Sequence, residues 1–121
     1  MSIRVVIVDD NPTVRLSLAR GFAAQKDINL VGEAADGERA LALLRDVETD
    51  VIVMDEHMPR LSGLAVVAAL RDDGIDTPVL ILTADPRVAS RAADLYHVDV
   101  LVKGDAGLGE TLSAVRLAAG A

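Results

Sequence analysis

The chain has no cysteine and no tryptophan, and among its 121 residues there are one phenylalanine, one tyrosine and two histidines. Without cysteine there is no disulfide framework, no thiolate metal centre and no cysteine nucleophile. With aromatic residues at 2%, the interior has to be built from Val, Leu, Ile and Ala. Basic residues are also scarce. Twelve Lys and Arg face nineteen Asp and Glu, a net charge of −7 and a pI near 4.6. Such a chain lacks the basic surface that nucleic-acid phosphates require, so it is not expected to grip DNA by itself. Only Lys26 and Lys103 are lysines. The N-terminal apolar run meets Asp9-Asp10 before it is long enough for a signal sequence or a membrane span, and a cytoplasmic protein is expected.

What is present is apolar material in the right amount for one core: 51% hydrophobic residues and a mean hydropathy of +0.35. The length fits a single domain over residues 1–121. Ile3–Val8, Asn29–Glu33, Val51–Met54, Val79–Leu82 and Val100–Val102 read as strands. Four of them are almost continuously apolar, the mark of strands buried on both faces of a parallel sheet.

Helical periodicity fills the gaps between them. Asn11-Pro12 gives an N-cap and a proline at the first helical position, and Val14, Leu18 and Phe22 follow on one face. Asp36 is placed to cap a second helix with Ala40, Leu41, Leu44 and Val47 inward. Ser62 would cap a third that buries Leu64, Val67 and Leu70. Asp85-Pro86 repeats the cap-and-proline signal before Val88, Ala92 and Leu95, and a last helix from about Leu108 to Ala119 turns Leu108, Leu112 and Val115 inward. Five β–α units with short connections predict an α/β fold: a doubly wound five-stranded parallel sheet with helices on both faces.

Ligands of such sheets bind outside the carboxyl ends of the strands. Those ends carry Asp9-Asp10, Asp55-Glu56, Thr83 and Lys103. Aspartates gathered at one edge repel one another unless a cation intervenes, and oxygen donors without a His/Cys cluster favour Mg²⁺ over zinc. A carboxylate, a hydroxyl, an ammonium and Mg²⁺ together suit phosphoryl transfer, with Asp55 as nucleophile at the end of the central strand.

The set Asp9-Asp10, Asp55-x-x-Met58-Pro59-x-x-x-Gly63, Thr83-Ala84 and Lys103 resembles the receiver domain of bacterial two-component response regulators. The resemblance covers essentially the whole chain. The stretches Asp9–Arg15 and Val31–Gly37, with the Leu112–Gly120 tail, look like the NarL/FixJ (LuxR-type) subfamily. This implies a flavodoxin-like strand order of 2-1-3-4-5 and Asp55 as phosphoacceptor. It also implies Mg²⁺ bound directly by Asp10 and Asp55, through water by Asp9, and by the backbone carbonyl of His57. Thr83 and Lys103 would read the phosphoryl group. The implied partner is a sensor histidine kinase, with a homodimer on phosphorylation as a further expectation. The first helix (Val14, Arg15, Leu18) and the last (Leu112, Val115, Arg116) are candidate faces for the kinase or a second copy, although apolar and Arg residues alternate this way on any solvated amphipathic helix. DNA would be reached only through a C-terminal helix-turn-helix output domain, which the Ala-Ala-Gly-Ala ending predicts to have been cut away.

The chain departs from the family pattern between Thr83 and Lys103. Val100 stands where an aromatic residue is common and Asp99 where glycine is usual; the segment is about two residues short, and Tyr96 lies four residues before Val100. Either Val100 simply fills space and coupling runs through Thr83 and loop movement, the preferred expectation, or the fourth helix is shortened or recast and Tyr96 packs in an unusual place. After Lys103, Gly104 allows a tight turn. His97 is assigned no role. Two rival functions remain: a phosphorylation-independent receiver-like scaffold, and a Mg²⁺-dependent phosphohydrolase. The haloacid-dehalogenase pattern needs a second aspartate where His57 stands. No glycine-rich phosphate loop follows the first strand, which disfavours a dinucleotide-binding module.

Overall fold

The computed structural model describes residues 2–103 and 107–120. Five parallel strands, β1 (Ile3–Val8), β2 (Ile28–Ala34), β3 (Val51–Asp55), β4 (Val79–Thr83) and β5 (Val98–Val102), form one sheet in the order β2-β1-β3-β4-β5. The helices are α1 (Pro12–Ala23), α2 (Gly37–Asp46), α3 (Gly63–Asp72), α4 (Val88–Ala92) and α5 (Leu108–Ala118). Both the doubly wound class and the strand order agree with the expectation.

Strand alternation sorts the core into two layers. Val6, Val8, Ile52, Met54, Val79 and Ile81 pack under α2, α3 and α4; Val5, Ile7, Val51, Val53, Leu80 and Leu82 pack under α1 and α5. Phe22 is fully buried in the second layer. Leu112 and Val115 are buried as expected, whereas Leu108 is half exposed and lies over Gly21 of α1, where a Cβ would meet Leu108 Cδ1 at 2.7 Å. Val66, which the three-residue spacing on α3 passed over, is fully buried because α3 packs against both the sheet and α2.

The caps form where sequence places them. Asn11 Oδ1 accepts from the Thr13 and Val14 amides, Asp36 Oδ1 from Arg39 N at 2.8 Å, and Ser62 Oγ from Ala65 N at 3.2 Å. Asp85 differs. Its carboxylate accepts from Arg87 N at 3.0 Å, which closes a turn over 85–87, and α4 starts only at Val88 and lasts five residues. The β2 strand carries a bulge opposite Val5/Val6, with Val31 the extra residue.

The β5 strand begins two residues before the expected Val100, and the cause is Arg71 at the end of α3. Its guanidinium donates to four backbone carbonyls: Ile75 at 2.7 Å, Tyr96 at 2.9 Å, Thr77 at 3.0 Å and His97 at 3.3 Å. These bonds tie the turn before β5 to the loop before β4. Within that turn His97 takes a φ of +54°, and its ring stacks on Tyr96 with centroids 3.9 Å apart. Tyr96 is 59% exposed, so it does not enter the core, while Val100 packs against the α2/α3/α4 layer. Val100 thus fills space as the preferred expectation had it, while the fourth helix is short, as the alternative had it, without Tyr96 entering the core. Gly104 lies outside the described residues.

Hydrogen bonds from a charged donor contribute about 1.5–3 kcal/mol each, and losses within one cluster are not additive. Arg71→Ala should therefore lower the unfolding free energy by about 2–4 kcal/mol in denaturant melts. Arg71→Lys should restore little of it, because an ammonium cannot reproduce the planar fork. A loss below about 0.5 kcal/mol would show that the clamp does not hold the β4 and β5 entrances together.

Candidate functional site

The register of the sheet brings the charged residues to one edge. β1 pairs with β3 (Val8 opposite Met54), so Asp9 and Asp10 follow β1 just where Asp55 ends β3. β3 pairs with β4 (Asp55 opposite Leu82), and Thr83 opposite Val102 puts Lys103 one residue beyond. Asp9, Asp10 and Asp55 each present a carboxylate oxygen within 4.8 Å of the others, the one such acidic group of three or more among the described residues.

Burial makes this group unusual. The Asp9 side chain is 3% exposed and that of Asp55 12% exposed. Lys103 Nζ answers both, donating to Asp55 Oδ1 at 3.3 Å and standing 3.6 Å from Asp9 Oδ2. Burial still holds the Asp55 carboxyl above the usual carboxylate range; the Lys103 charge opposes this, and the Asp9 and Asp10 charges reinforce it. One ammonium is not enough for three carboxylates.

The neighbouring loops are held by their own backbone. Asp9 Oδ1 accepts from Asn11 N at 2.9 Å, and Arg15 Nη1 donates to the Asp9 carbonyl at 2.6 Å. Arg15, a candidate for a partner face in sequence, is therefore turned toward the site. Thr83 Oγ1 accepts from Asp85 N at 3.1 Å, and the Thr83 carbonyl accepts from Lys103 N at 2.6 Å. Among the described residues the Thr83 hydroxyl donates no hydrogen bond, which leaves its hydrogen available to an acceptor at this edge. Asp85 is tied to Arg87 and Arg91, and its carboxyl is held down to about 2, chiefly by the hydrogen bonds from Arg87. The His57 ring is 61% exposed and lies 3.9 Å from Asp85 Oδ2, at the rim rather than among the aspartates.

The expected site residues thus gather at one edge, with the His57 ring at its rim. One participant carried no expectation. Glu56 is 4% exposed, and its Oε1 accepts from Leu64 N at 2.7 Å. Eight residues separate donor and acceptor, so no local capping motif announces the bond.

Residues 5–112 match the family model described as the response regulator receiver domain. The chain belongs to the response regulator receiver family. This receiver domain is 42% identical over 95 residues to response regulator MprA of Mycobacterium ulcerans, covering 78% of the chain and 40% of that protein. It is 40% identical over 126 residues to protein-glutamate methylesterase/protein-glutamine glutaminase 2 of Anaeromyxobacter dehalogenans, covering 98% of the chain and 37% of that protein. It therefore spans about two-fifths of the length of these curated relatives. The NarL signal receiver domain of Mycobacterium tuberculosis superposes with a TM-score of 0.90 at 34% identity, covering 98% of this chain and 97% of that one. That likeness fits the NarL/FixJ-type resemblance. The response regulator domain of Thermotoga maritima CheB gives 0.89 at 26% identity, covering 100% and 98%.

The raised Asp55 has a consequence for stability. An acid whose pKa folding raises costs nothing below the usual carboxylate range, and its penalty is fully present above the folded-state pKa. With chelator present at pH 7, Asp55→Asn should unfold at a higher denaturant concentration than the parent, and the gap should close as the pH falls below about 4. A less stable variant at pH 7 would mean that the Lys103 pair outweighs burial and repulsion.

Proposed function

We propose that this receiver domain takes a phosphoryl group from a phosphohistidine of a sensor kinase onto Asp55 in a Mg²⁺-dependent reaction, and that the acyl phosphate shifts the ends of β4 and β5. The observation that carries this reading is the trio of carboxylates within 4.8 Å with Lys103 set between Asp55 and Asp9. The donor set is hard oxygen with excess negative charge, which suits Mg²⁺. Asp10 and Asp55 would hold it directly, Asp9 through water and His57 by its main-chain carbonyl. When bound, it supplies positive charge to the phosphoryl oxygens.

An Asp55 carboxylate oxygen attacks phosphorus, and the P–O bond forms as the P–N bond to the donor imidazole breaks. The imidazole nitrogen leaves with the electron pair and takes a proton from solvent. Lys103 transfers its ammonium from the two carboxylates to a phosphoryl oxygen, and Thr83 donates its hydroxyl hydrogen to another. Attack by water on phosphorus later returns the carboxylate and inorganic phosphate. The new group adds about one unit of negative charge to the site. Through the Lys103 N–Thr83 carbonyl bond, β4 and β5 respond together. Each tenfold shift in their arrangement requires about 1.4 kcal/mol of differential interaction, within reach of two charge-assisted hydrogen bonds. Val100 leaves this coupling without an aromatic rotor.

Dimerisation on phosphorylation through α1 or α5, and transcriptional output through a DNA-binding segment outside the chain, extend the proposal. Among the described residues no helix is long and apolar enough to cross a membrane, and a cytoplasmic setting is proposed. A phosphohydrolase is disfavoured by the exposed ring of His57, which stands where such an enzyme would need a second carboxyl group.

With Mg²⁺ and a small phosphodonor, intact mass should reveal one acid-stable, base-labile phosphoryl adduct, absent in Asp55→Asn. Lys103→Ala should slow its formation on the order of 100-fold, as expected for loss of one preorganised charge donor. An adduct that survives Asp55→Asn would remove Asp55 from the role. Rapid multiple turnover of phosphomonoesters would favour a hydrolase.

A further inference from the structure

Glu56 is a buried acid that the phosphoryl chemistry leaves without a task. It adjoins Asp55; two hydrogen bonds fasten it to the start of α3 and a third to the loop between them. Its side-chain Oε1 accepts from Leu64 N at 2.7 Å, and its carbonyl accepts from Gly63 N at 3.0 Å and Met58 N at 3.2 Å. The approach is close enough that a Cβ on Gly63 would fall 2.5 Å from the Asp55 carbonyl oxygen and 3.1 Å from Glu56 Oε1. The loop between Glu56 and Gly63 is therefore closed on itself. It holds Arg60 at a φ of +68°, a conformation that a non-glycine residue keeps only when its surroundings impose it. His57 lies inside this closed loop, one residue from the Glu56 anchor and next to the Met58 amide that the Glu56 carbonyl binds.

We infer that Glu56 is the positioning residue of the cation site: by bonding Leu64 N it locks the strand–loop–helix junction and so fixes the His57 carbonyl and the Asp55 carboxylate for Mg²⁺. The inference rests on the Mg²⁺-dependent reading above. Glu56 touches neither cation nor phosphoryl group and acts through the backbone it holds. Its hydrogen bond, not its charge, is what the site uses. Outer partners of metal ligands typically govern affinity by 10- to 100-fold.

Calorimetric titration with Mg²⁺ alone separates the possibilities. Glu56→Ala and Glu56→Asp, the latter still charged but too short to reach Leu64 N, should each weaken Mg²⁺ binding by roughly tenfold or more. Glu56→Gln, which keeps an acceptor oxygen, should bind within about threefold of the parent, a margin well inside the tenfold expected for a lost outer partner. Ser62→Ala removes a different cap from the same end of α3, and should lower thermal stability while leaving the affinity unchanged. If Glu56→Ala does not fold, Glu56→Asp carries the comparison. Parent-like binding by Glu56→Asp overturns the inference, as does an equal loss in Glu56→Gln, which would make charge the agent. An equal loss in Ser62→Ala would reduce the effect to fraying of α3 and overturns it too. Absence of Mg²⁺ binding by the parent instead sinks the underlying reading.

Discussion

Three carboxylates share a half-buried sheet edge with a single ammonium between them, and most of the molecule is arranged so that this crowding persists. Asp9 and Asp55 are too deep for water to screen their repulsion well, and Lys103 cannot neutralise both and Asp10 besides. An edge in this condition favours whatever positive charge it can admit. It also favours any rearrangement that gives Lys103 a more highly charged partner. On the proposed reading, phosphorylation of Asp55 would provide such a partner, and Lys103 and Thr83, joined main chain to main chain, would respond to it together.

The sheet makes the crowding possible because its core is dry and unyielding. Buried, largely apolar runs in β1, β3 and β4 fix the register, since a slip of one residue would exchange the two core layers. Lys103 is held less directly. It sits at the end of β5, the edge strand, whose entrance is pinned by the Arg71 guanidinium and whose exit is bonded to Thr83. The acids thus stand at the ends of β1 and β3 inside the sheet, and their ammonium at the end of the edge strand.

Much of this was legible in the residues themselves. Apolar runs bounded by acids identify buried parallel strands, and Asn11-Pro12, Asp36 and Ser62 mark helix starts because capping is a local interaction. What escaped was non-local. The early start of β5 depends on Arg71, 27 residues before Val98. The Val31 bulge reflects pairing with β1, and Glu56 acts on a helix eight residues away. Val100 filling space was readable from its size; Tyr96 remaining outside the core was not, because its place is set by the same Arg71 turn. The candidate site residues were singled out by type and order, but the burial of Asp9 and Asp55 appears only in the fold.

Stability measured against Mg²⁺ concentration at neutral pH, for the parent and for Asp10→Asn, bears on this crowding most directly. Mg²⁺ at ten times its Kd should raise the parent's unfolding free energy by about 1.4 kcal/mol, and Asp10→Asn at the same concentration should gain little. An equal gain in both proteins, or none in the parent, would contradict a carboxylate site that a cation completes.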